Sequence, residues 1–199
     1  RQMGKLRWPD EKCQEVVTKW RAHHPDHVNA WGNLQKALQQ MCAGEVPADW
    51  LIPTANGNPV FWFEKDAIVL PRGLRIKYPN IRYEWFEETV GDKTTMRRHM
   101  VYDDARAKGG MAKIYGGKLL ENLCQALATC IYLEQVATIN RIWPVVMSVH
   151  DEVILCGTLA EMERAMTWVK LIMRTSPSWW PDLPLNVEGD INRIYGDAK

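Results

Sequence analysis

Cysteine is scarce in this chain and never paired in sequence. The five residues Cys13, Cys42, Cys124, Cys130 and Cys156 form no CxxC motif, which argues against a disulfide framework and against a zinc site. They read instead as reduced thiols buried as small apolar side chains. Long apolar runs are missing too. A bilayer-spanning helix needs roughly 20 apolar residues, and apolar stretches such as Val145–Met147 and Val153–Cys156 have only strand length. There is no internal repeat and no low-complexity tract. Net charge is close to zero, at +1, so bulk charge alone does not announce a nucleic-acid partner. The first residue is Arg1 rather than Met, so the chain reads as a portion of a longer one, and the lack of a signal peptide says little about targeting.

What is present is an ordinary globular composition, 46% apolar and 25% charged in 199 residues, enough for one sizeable domain or one domain and part of another. The charge is unevenly placed. Glu84, Glu87, Glu88 and Asp92 precede a basic stretch of Lys93, Arg97, Arg98, Arg106, Lys108, Lys113 and Lys118, broken only by Asp103 and Asp104. Such segregation suits either a face turned toward phosphates or a solvated linker.

Apolar residues recurring at three and four predict helix over Asp10–Gln40, split at Pro25 and ended by Gly44 and Pro47. Ala67–Leu70 and Leu74–Tyr78 around Pro71-Arg72-Gly73 read as a hairpin, with Ile81–Thr89 as a further β segment. Ala105–Gly117 is rich in glycine and reads as loop. Leu119–Val136 is a long helix with few charges, expected to be largely buried. Pro144–Val149 and Val153–Cys156 are strands, Leu159–Met173 an amphipathic helix, and Pro184–Ile191 a final strand. This order predicts an α+β fold built on an antiparallel sheet.

The segment from Val145 to Leu155 is the most informative. Two apolar runs bracket His150-Asp151-Glu152, so the acids project from a tight turn held by rigid strands. A hard cation such as Mg²⁺ demands fixed oxygen positions of this kind, although Asp in a hairpin turn is also common turn chemistry. Upstream, Asn122, Gln125 and Thr129 lie three and four apart and share one helix face. Amide side chains on such a face are able to donate to the minor-groove acceptors that every base pair presents. The alternative is a polar stripe satisfied inside the protein.

Val149-His150-Asp151-Glu152-Val153 resembles the VHDE motif of family A polymerases, the DNA polymerase I-like group, and Lys113–Ala126 resembles the YGGKLxENxxQA segment of its bacteriophage branch. Trp20-Arg21, Pro25 and Trp31 are similar to that family's WR–nP–W helix pair, Leu70–Pro79 to its LPSGRxxxYP hairpin, and Leu183–Gly189 to the strand closing its palm. The motifs follow the family's order across almost the whole chain. One departure is Ala128-Thr129-Cys130, where relatives continue Ala-Arg-Asp, so no role of that Arg or Asp is carried over.

The resemblance implies a palm with an antiparallel sheet and packed helices plus part of the helical fingers, divided as residues 1–45 (fingers) and 46–199 (palm). It implies a DNA-directed DNA polymerase of phage replication, acting in the host cytoplasm on primer–template DNA and deoxynucleoside triphosphates with two Mg²⁺ ions. Asp151 would be the metal ligand, Glu152 a supporting acid, and His150 a neighbour of the primer terminus. Asn122, Gln125 and Lys118 would contact DNA, as would Arg72, Arg75 and Lys77, and Arg1 and Lys5 would hold the triphosphate.

The family's upstream DxSxxExR strand, whose Asp is the second metal ligand, has no counterpart here, so this chain alone is expected to be inactive without the N-terminal part of the polymerase. Arg1–Lys5 looks like the start of the fingers RxxxK helix, yet Leu6-Arg7-Trp8-Pro9 follows where relatives carry about thirty further residues. Lys5 and Leu6 are therefore expected not to be neighbours in the natural protein. The competing readings are a non-catalytic palm module that grips primer–template DNA, one chain of a split polymerase, and a single-subunit RNA polymerase, against which Glu152 and the YGGK segment argue.

Overall fold

Proline and glycine set the boundaries of the first two helices. In the computed structural model, which describes residues 8–47, 59–90 and 93–197, α1 (Asp10–His23) stops where Pro25 opens α2 (Pro25–Cys42), and Gly44, in the left-handed region at φ 79°, follows its end. Trp20 stacks on Trp31 across the pair, with ring centroids 5.6 Å apart and planes 17° from parallel. Arg1, Lys5, the Lys5–Leu6 junction and Asp92 lie outside the described residues.

The fold is α+β, but among the described residues the strands form three small antiparallel sheets rather than one. The first is β1 (Trp62–Glu64), β2 (Ala67–Val69) and β3 (Arg75–Lys77) in sequence order. A single 3-10 turn over Pro71–Gly73 joins β2 to β3. The second sheet is β4 (Arg82–Val90), β5 (Lys93–Asp103) and β6 (Met111–Ile114). After α3 (Gly116–Ile139) comes the two-stranded β7 (Val145–Val149) and β8 (Glu152–Leu155), then α4 (Leu159–Arg174). Thr158 and Glu161 close a reciprocal capping box at the start of α4.

Backbone contacts divide the chain into two compact units, one of residues up to Glu45 with Asn80–Glu121, the other of Val46–Pro79 with Asn122–Lys199. In the first, Leu34, Ala37, Leu38 and Met41 on α2 are buried, as are Met100, Val101 and Ile114 of the sheet. In the second the core gathers Phe61, Phe63, Ile68, Val69 and Tyr78 with Leu123, Leu127 and Cys130 of α3 and Ala165 and Val169 of α4. Each fully buried aliphatic side chain contributes about 1.5–3 kcal/mol.

Several expectations need correction. Lys93–Asp103 is an eleven-residue strand, and Met111–Ile114 a further strand within the glycine-rich stretch read as loop. The long hairpin folds the acidic run back onto the basic one. Lys113 lies 2.9 Å and Arg97 3.7 Å from Glu88, and Arg82 bridges Glu84 and Asp103. Much of the segregated charge is thus neutralised within one sheet rather than spread over a basic face. Pro184–Ile191 forms no ladder. Pro184 lacks a donor, and α4 with the segment after it holds the chain instead, through Ser176 Oγ to Leu183 O at 2.6 Å and Arg174 to Val187 O at 3.2 Å. Helix α3 buries one stripe, while Cys124, Gln125, Ala128, Thr129 and Leu133 are exposed. Of the cysteines, all free, only Cys130 is buried; Cys13, Cys124 and Cys156 are exposed.

Candidate active site

The acidic tip is a two-residue hairpin loop. Val149 pairs with Glu152, leaving His150 and Asp151 as the turn, and β7 carries an irregularity between Val145 and Met147. His150 has φ 54°, in the left-handed region where a non-glycine residue is strained. Two-residue hairpin loops need positive φ at their first position and normally use glycine, asparagine or aspartate there. A histidine in that place is a costly choice for a turn.

Three side chains at the tip have different surroundings. Asp151 is exposed and has no hydrogen bond or ion pair among the described residues. Glu152 Oε2 accepts from the Tyr195 hydroxyl at 2.5 Å. That bond, with burial and the charge of Glu152, holds the Tyr195 phenol above its ordinary value. The Glu152 main-chain carbonyl accepts from Tyr132 Oη at 2.7 Å, and the same hydroxyl lies 2.5 Å from Ser148 Oγ. A consistent arrangement has Ser148 donating to Tyr132 and Tyr132 donating to Glu152.

Tyr132 belongs to α3, and this fixes which face of the helix the hairpin meets. Gln125 precedes Tyr132 by seven residues, two turns, so the two side chains leave nearly the same side of the helix about 10 Å apart. The buried stripe of Leu123, Leu127 and Cys130 occupies the opposite side. Gln125 and the Asp151 tip therefore lie toward one common side of α3. Asn122 is only partly available, because its amide donates to the hydroxyl of buried Tyr78 at 3.1 Å. Thr129 donates its hydroxyl back to Gln125 O.

The cations of the β2–β3 hairpin separate likewise. Arg72, itself at φ 62°, pairs with Glu134 at 3.0 Å. Arg75 grips Glu64 through two nitrogens, at 3.0 and 3.1 Å. Both guanidinium groups are held above their ordinary values by these carboxylates. Glu64 is held below its ordinary value by the Arg75 bond. For Glu134, burial pushes the carboxyl up, but Arg72 and the Trp179 indole at 2.9 Å outweigh it and hold the group low. Lys77 is exposed, with no such partner among the described residues. Lys118, half-buried in the other unit, contributes positive charge near Asp104.

The sequence pattern singled out Asp151, Glu152 and Gln125 but not Tyr132, Tyr195 and Ser148, which hold the tip. Tyr132 carried one usable signal, its spacing of seven from Gln125. Tyr195 carried none. As a metal centre the tip is partial: among the described residues no three His, Cys, Asp or Glu side chains gather. The unpartnered Asp151 carboxylate suits one oxygen ligand of a hard cation, whereas one oxygen of Glu152 is already engaged.

No family model matches the chain, and no solved structure matches it. It is 28% identical over 201 residues to a protein of Bacillus phage SP02 named DNA polymerase. The match takes in 98% of this chain and 29% of that protein, so the chain spans less than a third of the length of the curated relative it matches, and the likeness supports a relationship to a phage DNA polymerase.

Proposed function

We propose that this chain is the C-terminal, palm-containing portion of a bacteriophage DNA polymerase of the family A, DNA polymerase I-like group, with residues 1–45 from the fingers and 46–199 from the palm. The reaction joins a primer 3′-hydroxyl to the α-phosphate of an incoming deoxynucleotide and releases pyrophosphate. The observation that carries this reading is the contact of Tyr132 with the hairpin tip, which brings Asp151 to the side of α3 that bears Gln125.

Within this scheme Asp151 would hold a Mg²⁺ pair through its open carboxylate, with a second carboxylate supplied from outside this chain. When bound, such a pair lowers the pKa of the attacking hydroxyl and offsets charge on the leaving oxygens. Glu152 supports the tip as an acid held by Tyr195. His150 sits at the turn beside the primer terminus. Gln125 and the remaining capacity of Asn122 grip the minor groove without regard to sequence. Lys77 and Lys118 meet phosphates directly. Arg75 does so by exchanging its exposed ion pair with Glu64, which is weak and easily replaced, and Arg72 by leaving the partly buried Glu134. Arg1 and Lys5 hold the triphosphate.

Primer extension by this chain supplied with the N-terminal part of the polymerase tests the proposal. Incorporation of deoxynucleotides that is abolished by Asp151→Asn supports it. Duplex binding without extension favours a non-catalytic palm module, and preference for ribonucleotides favours an RNA polymerase.

A further inference from the structure

We infer that Tyr195, four residues from the end of the chain, is a positioning residue for the acidic tip, holding the Glu152 carboxylate while Tyr132 holds the Glu152 main chain. The geometry is specific. A short turn over Tyr195–Asp197 brings the phenol to 2.5 Å from Glu152 Oε2, across 43 residues of sequence. Tyr132 Oη, from α3, meets the carbonyl of the same residue at 2.7 Å. Glu152 is thus fixed at both ends by two hydroxyls from separate elements.

Its neighbour Asp151 has no partner of its own among the described residues, so the direction of its carboxylate is inherited from the strand end that these two hydroxyls hold. A two-stranded hairpin is marginal by itself, and β7 and β8 contain no buried residue. External ties are therefore what keep the tip in one place. Held in this way, the strand end keeps the Asp151 carboxylate in one place for a cation. This part of the inference rests on the polymerase reading; the contact itself does not.

Two measurements on the 199-residue chain test it, with Tyr195→Phe removing only the hydroxyl. Without metal, the side-chain carboxyl ¹³C signal of Glu152 should move in Tyr195→Phe while that of exposed Glu163 stays. An unmoved Glu152 signal overturns the inference whatever metal does. With Mn²⁺ as the probe, paramagnetic broadening at Asp151 should need several-fold more metal in Tyr195→Phe than in the parent. In a Glu152→Ala background the same substitution should have no further effect, because Tyr195 acts through the Glu152 side chain. Equal Mn²⁺ midpoints for parent and Tyr195→Phe, or an equal loss in both backgrounds, would overturn the positioning role. If the parent shows no broadening at Asp151, the metal-positioning role is overturned, and the carboxyl signal still decides the contact.

Discussion

Tyr132 donates its hydroxyl to the main-chain carbonyl of Glu152 at 2.7 Å, and this bond ties the long helix α3 to the acidic hairpin. It links two residues 20 apart in sequence and makes the helix and the hairpin parts of one surface. Replacing Tyr132 by Phe keeps the ring and removes the bond. Loss of one such hydrogen bond should cost about 1 kcal/mol in urea unfolding. Because the effect falls on the tip, Mn²⁺ broadening at Asp151 should weaken by more than the small stability change accounts for. An unchanged unfolding midpoint and unchanged broadening would mean the bond is idle.

His150 gives a prediction of opposite sign for stability. Its φ of 54° is a conformation that glycine adopts without strain. His150→Gly should raise stability by about 0.5–1 kcal/mol, read by thermal or urea unfolding, and should lower primer extension by the reconstituted enzyme. A gain in stability with full activity would make His150 a turn residue and nothing more.

Gly116 is set by packing rather than by φ. A Cβ there would lie 2.1 Å from the Trp31 carbonyl oxygen and 2.8 Å from the Gln35 nitrogen, and the Gly116 N–H donates to Gln35 Oε1 at 2.7 Å. Backbone has no easy way to yield, so Gly116→Ala should destabilise by at least the 1–3 kcal/mol typical of overpacking. Gly117→Ala should cost clearly less, since its new methyl meets side chains alone, the Tyr115 ring at 3.2 Å and Trp31 Cδ1 at 3.9 Å. Equal melting temperatures for the two variants would refute the packing argument.

Acid should unfold the chain through its paired carboxylates. The Lys113 bond holds Glu88 below the ordinary glutamate value of 4.5, and Arg82 does the same for Asp103. Glu134 is also held low, with burial acting against Arg72 and Trp179. A depressed folded value means these groups bind protons more readily when unfolded. Their contribution is complete above the unfolded values and is lost as pH falls through the lower folded ones. Unfolding free energy followed by circular dichroism should be flat above about pH 5 and fall progressively below 4.5. Glu134→Gln should remove part of that slope.

How much of this was legible in sequence follows from what each segment buries. The helix pair broken at Pro25, the β2–β3 hairpin and the hairpin around His150-Asp151 all announced themselves, because proline, glycine and short apolar runs act locally. Strand β5 did not. Lys93–Arg98 is mostly polar and exposed throughout, so no alternation marked it, and only its pairing with the oppositely charged β4 makes it a strand. Helix α3 misled in the other direction: an apolar composition does not say which side is covered, and one side is open. The turn position of Asp151 and the helix position of Gln125 followed from local pattern, while their relation depended on the long-range bond of Tyr132, whose one signal was its spacing of seven from Gln125. Tyr195 carried no such signal.

The account stands on Gln125 and Asp151 facing the same DNA. Titrating the isotope-labelled chain with a primer–template duplex and following the Gln125 side-chain amide together with the Asp151 backbone amide tests this most directly. The account predicts that both signals shift with one shared midpoint, unaffected by the base sequence of the duplex. Signals that stay still, or that move with different midpoints, would contradict it.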